Sequence, residues 1–191
     1  MTLLILGIVI WSLIHFFPAV AVNFRSGLVA RFGKAGYRAV FALVAFGALL
    51  LIIRGWKAAP LDSVYAAPSW GVYATAVFML VAFVLLFAPY IPSSVSRFLR
   101  HPQLAGVFVF GIGHLFANGE ARSLLLFGGF AAWALLEMFL LNRRDGAWKK
   151  PDPKAPKANL RLVLTGIGFF AIVLFLHGWL FGVDVMAYLR S

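Results

Sequence analysis

Cysteine is absent from the 191 residues, and that removes disulfides, thiolate metal sites, iron–sulfur clusters and thiol nucleophiles together. Charge is scarce too. Only 12% of the chain is Asp, Glu, Lys or Arg, against about a quarter in a soluble domain. Acids are rarest, with Asp62, Glu120, Glu137, Asp145, Asp152 and Asp184 making up the whole set. A di-iron carboxylate centre needs several acids inside a helix bundle, and only Glu137 falls within an apolar run.

What is present is apolar: 63% of residues are hydrophobic and the mean hydropathy is +0.94. So much apolar surface calls for lipid around it. A membrane-crossing helix uses roughly 20 apolar residues for a hydrocarbon core of about 30 Å, so little chain remains for a separate soluble domain. Six runs stand out, over 2–24, 37–56, 69–90, 102–118, 123–141 and 160–183. Turn-forming residues separate them: Ala59-Pro60, Ile91-Pro92, Asn118-Gly119, and a polar stretch from Asn142 to Asn159 holding Pro151, Pro153 and Pro156. There is no internal repeat. The pattern predicts an all-α integral membrane protein, one domain over 1–191, built as a bundle of six transmembrane helices.

Basic residues orient that bundle, because Lys and Arg in short loops stay on the cytoplasmic side. The first loop carries Arg25, Arg31, Lys34 and Arg38; the third Arg97 and Arg100; the fifth Arg143, Arg144, Lys149, Lys150, Lys154 and Lys157, with Arg161 at its edge. The even loops are poorer, with Arg54, Lys57 and Asp62 in the second and Glu120 and Arg122 in the fourth. Both termini are therefore expected on the outer, periplasmic side. The formal charge of +11 is explained by topology and anionic lipid headgroups, so no nucleic-acid partner is expected. Ala19-Val20-Ala21 has the look of a signal-peptide cleavage site. Against that, no basic residue precedes the run, a basic cluster follows it, and His15 interrupts it. A retained helix kinked at Pro18 is the reading adopted.

Four histidines are the candidates for metal chemistry: His15, His101, His114 and His177. All but His101 lie inside runs, where ionisable side chains are costly and face the bundle interior. The plain alternative is an imidazole that hydrogen-bonds a neighbouring helix. A histidine-only zinc site is compatible with this set. The commoner membrane use of two imidazoles from different helices is axial ligation of haem, and without Cys-x-x-Cys-His it would be noncovalent, b-type haem. His101 and His114 sit about 20 Å apart along a helix and about 140° apart around it, too far to clasp one iron. The partner of His114 is then His15 or His177, and depth does not separate them: His15 lies about 14 Å, His114 about 19 Å and His177 about 26 Å from the basic boundary.

Small residues surround His114, namely Gly106, Gly111, Gly113 and Ala117, with Gly128, Gly129, Ala131 and Ala132 in the fifth run. They provide close helix packing, or room for a flat macrocycle lined by Phe116 and Trp133. Arg25, Arg97 and Arg100 are available for haem propionates, with topology as their other explanation. His101-Pro102 reads as the entry to the fourth helix and Asn118-Gly119 as its exit. Pairing with Arg143, Arg144 or a third-loop arginine is the expectation for Glu137, ahead of proton transfer.

Arg100-His101-Pro102-Gln103-Leu104, Gly113-His114-Leu115-Phe116-Ala117-Asn118-Gly119, Ser123-Leu124-Leu125-Leu126-Phe127-Gly128 and Trp133 together resemble the NnrU family, sharply from about Arg97 to Arg144 and by helix arrangement elsewhere. The resemblance implies a bacterial inner-membrane protein associated with denitrification, in nitrite and nitric oxide metabolism. The family is also similar to the plant 15-cis-zeta-carotene isomerase, which holds haem b between histidines. Carried over, that implies His15 and His114 as axial ligands of the haem iron, with His177 and His101 next in line. Three functions follow: a haem-b protein acting in redox, sensing or assembly; a haem-dependent cis–trans isomerase of a carotenoid-like polyene; or a cofactor-free transporter or structural subunit, for which a helix broken at Gly111 and Gly113 would speak.

Overall fold

The computed structural model describes residues 1–190, with side chains through 188. Helix α1, Thr2–Val20, carries Pro18 in its last turn and ends at Ala21, whose N–H returns to the Phe17 carbonyl at 2.9 Å. It stops short of the expected Phe24 because the chain turns there and starts a second helix at once. Helix α2, Val22–Ala58, is interrupted at Gly33, where φ is 72° and ψ 165°. Only glycine adopts that conformation freely. The first basic loop is therefore helical up to this break, and its first part presents Val22, Phe24 and Phe32 beside Arg25 and Arg31. Such a mixture of cations and large apolar side chains suits a helix lying at a membrane boundary.

Helix α3, Gly71–Phe87, leads through a 3₁₀ turn at Ser94–Arg97 to α4, Pro102–Ala117, which has proline in its first turn and runs unbroken past Gly111 and Gly113. The short α5, Ala121–Ser123, passes through a π turn at Leu124–Gly128 into α6, Gly129–Asp145. Helix α7, Pro156–Phe181, starts four residues before the predicted run because Pro156 suits a first turn. Gly182 at φ 75° stops it in a left-handed cap, and α8, Val185–Arg190, follows.

Packing follows the order α2, α1, α6, α4, α3, α7, each helix lying chiefly against its neighbours in that row. Glycines set the closest approaches: Gly55 of α2 against the Leu4 backbone, Gly113 of α4 against Phe78 and Met79, and Gly166 of α7 against Val84. Buried positions are mostly small or medium-sized, among them Ala48, Ala82, Ala131 and Ala134, while Leu43, Phe175 and Trp179 are 71%, 78% and 83% exposed. Small inside and large apolar outside is how helices associate in lipid, where packing rather than water exclusion holds them. By length and composition α1, α2, the continuous stretch Ala121–Asp145 and α7 can cross a membrane; α3 and α4 are apolar but shorter. The chain is thus an all-helical, multi-pass membrane protein.

At the end of the bundle opposite the basic loops, Val64 and Tyr65 donate their backbone N–H groups to the Gly119 carbonyl at 2.9 and 3.2 Å, and the Tyr65 hydroxyl donates to the carbonyls of Leu115 and Asn118. This ties the segment after α2 over the exit of α4.

Candidate functional site

Phe127, Phe130, Trp133 and Glu137 recur at helical spacing, so one face of the π turn and α6 carries an aromatic stripe ending in an acid. Phe127, Trp133 and Glu137 are buried. The imidazole of His114, from α4, stacks on Phe127 at 4.4 Å between ring centres and 17° between planes. On α1, His15 meets Trp133 at 5.1 Å, Trp11 at 4.3 Å and the α2 residue Phe41 at 5.1 Å. Two histidines distant in sequence thus rest on one surface, six residues apart along it, which is about 9 Å of helix rise.

The ring nitrogens are sorted by their partners. Nδ1 of His15 lies 2.7 Å from the Trp11 carbonyl and Nδ1 of His114 3.0 Å from the Phe110 carbonyl. A carbonyl can only accept, so each Nδ1 carries the proton and each neutral ring keeps a bare lone pair on Nε2. His177 does the same through Val183, at 2.8 Å, and lies within electrostatic reach of His114. His101 differs. Its Nε2 is taken by the Asn142 side-chain oxygen at 3.1 Å, which joins the start of α4 to the end of α6. Burial, only partly offset by that bond, holds His101 below its ordinary 6.5.

The expected arginines divide. Arg97 donates to the Pro151 carbonyl and Arg100 to that of Gly146, each at 2.7 Å, so both fasten the segment between α6 and α7. Arg25 instead stands over the Tyr37 ring at 5.5 Å, with its Nε and the Tyr37 hydroxyl both buried and unpartnered. Phe116, expected beside His114, turns to Trp70 and Phe78. The room left by Gly106, Gly111 and Gly113 is filled by neighbouring helices, so these glycines serve close packing. Arg144 binds Asp145 at 2.6 Å rather than Glu137, which corrects the expected pairing; the adjacent acid gives a shorter, fork-like contact.

Sequence reasoning did not single out Trp11, Tyr37, Phe41 or Phe130, and it named Phe127 only within a family motif. Spacing was the available signal for Phe127 and Phe130, since both fall on the face marked by Trp133 and Glu137. On the opposite side of the stripe, Arg122 lies 4.3 Å over Trp56, which meets Phe127 at 5.8 Å.

The profile of a family described as "NnrU protein" matches residues 3–185. No curated protein and no solved structure matches the chain.

Proposed function

The chain belongs to the NnrU family, and from that premise we propose that it is a b-haem protein of the bacterial inner membrane, acting in nitrite and nitric oxide metabolism as a redox, sensing or assembly component. In this reading six helices cross the bilayer with both termini outside. Helices α3 and α4, at 17 and 16 residues, are about 24–26 Å long and cross by standing upright or by local thinning of the bilayer.

One observation carries the cofactor reading: His15 and His114 each commit Nδ1 to a carbonyl one turn back and keep Nε2 bare, the arrangement that orients a metal-binding imidazole. Two neutral imidazoles from different helices are the donors a b-haem would take. Both imidazoles lie on an apolar aromatic surface, and the orphaned Arg25 Nε and Tyr37 hydroxyl would hold a propionate at the basic rim. When bound, haem b would supply a one-electron couple. The chain's part would be to hold the iron through His15 and His114 and to keep water away with Trp11, Phe127, Phe130 and Trp133.

Spectra of the detergent-purified protein, oxidised and dithionite-reduced, with a pyridine haemochrome assay, test this. A Soret band with split visible bands on reduction, at one b-haem per chain, is expected, and His114→Ala or His15→Ala should remove or strongly weaken it. A colourless protein that also refuses added haemin overturns the reading.

A further inference from the structure

Glu137 lies one turn from Trp133 toward the basic end of α6. It is 7% exposed, and its Oε2 is fully buried with no hydrogen-bond partner. The nearby cation is occupied elsewhere, because Arg144 gives Nε and one terminal nitrogen to Asp145 and the other to the Pro18 carbonyl at 3.3 Å. Two more buried polar atoms are unmatched, the indole Nε1 groups of Trp133, one turn before Glu137 on the same helix, and of Trp11, whose ring meets that of Trp133 at 5.7 Å.

Two N–H donors and a carboxylate oxygen are complementary in chemistry, yet they do not bond one another. Leaving each of them dry is costly. A buried water with two to four polar partners removes that cost, and an ionisable group inside a membrane characteristically marks a proton path. We propose that Glu137 is the proton-exchanging group of a buried, hydrated chamber bounded by Trp11 and Trp133, reached from the basic end of the bundle beside Arg144. A hydronium there gives its proton to Oε2, forming the O–H bond and leaving water; the reverse step returns it.

Among the described residues, the charged group within electrostatic reach of Glu137 is Arg144, two turns on along its own helix. The chamber does not depend on the haem reading.

The test is infrared spectroscopy of the full-length purified protein across a pH series, in H₂O and in D₂O. A carboxylic C=O band is expected to grow on acidification, to shift down in D₂O, and to be lost in Glu137→Gln. Glu137→Asp should keep a displaced band, which guards against a misfolded Gln variant. Trp133→Phe, which keeps the ring and removes only the N–H, should move the band to higher frequency. Absence of any Glu137-dependent band while the protein is folded means an acid held permanently ionised by Arg144, and overturns the proposal. So does a band that neither titrates nor exchanges, which describes a sealed structural acid. A colourless protein with the exchanging band sinks the haem reading alone, and a haem protein without the band sinks only this one.

Discussion

An imidazole can lend one nitrogen to the backbone and still coordinate through the other, and this division separates the four histidines more sharply than their positions do. Their count and their place in apolar runs were legible in the sequence. Which ring nitrogen is occupied was not, because it depends on the carbonyl one turn back for His15 and His114 and on Asn142, across a helix junction, for His101. His101 consequently has a stability role with a pH signature. Its proton affinity is lower in the folded chain than in the unfolded one, so unfolding takes up a proton as pH falls through the ordinary 6.5, and stability falls with it. Thermal unfolding in detergent should occur at lower temperature at pH 5 than at pH 7, and His101→Gln should flatten that difference. An unchanged slope in the variant would remove His101 as its source.

At the scale of elements, hydropathy located the six apolar segments but misjudged where their helices begin and end. Polar residues of the first basic loop are helix-compatible, so hydropathy falls there while the helix continues to Gly33. The π turn before α6 was equally hidden, since Leu124–Gly128 is as apolar as its flanks. Gly33 lies inside α2 in a backbone conformation that only glycine adopts freely, so Gly33→Ala is expected to cost about 1–3 kcal/mol. The Ala variant should unfold at lower temperature, whereas Gly47→Ala, an α2 glycine with open space around it, should not. Equal effects would show that the Gly33 conformation is not what matters.

Across the whole molecule, the distribution of Lys and Arg predicts sidedness that packing alone does not decide. Because the chain has no cysteine, a single introduced thiol reports one location without background. In intact cells Asp62→Cys should react with a membrane-impermeant maleimide and Lys154→Cys should react only after the membrane is opened. The opposite pattern would invert the topology. The aromatic stripe on α6 was only partly visible in advance, as Trp133 and Glu137 read separately, because its meaning comes from α1 and α4 lying on either side.

The order of helices in the row also sets a timetable for synthesis. Helices α1 and α2 form one hairpin, α3 and α4 another, and the two hairpins hardly touch until α6 comes to lie between α1 and α4. While the ribosome is still short of that wedge, His15 and His114 sit on separate pieces drifting in the bilayer. On the haem reading proposed above, a cofactor held by both would therefore load late, after most of the chain has been inserted.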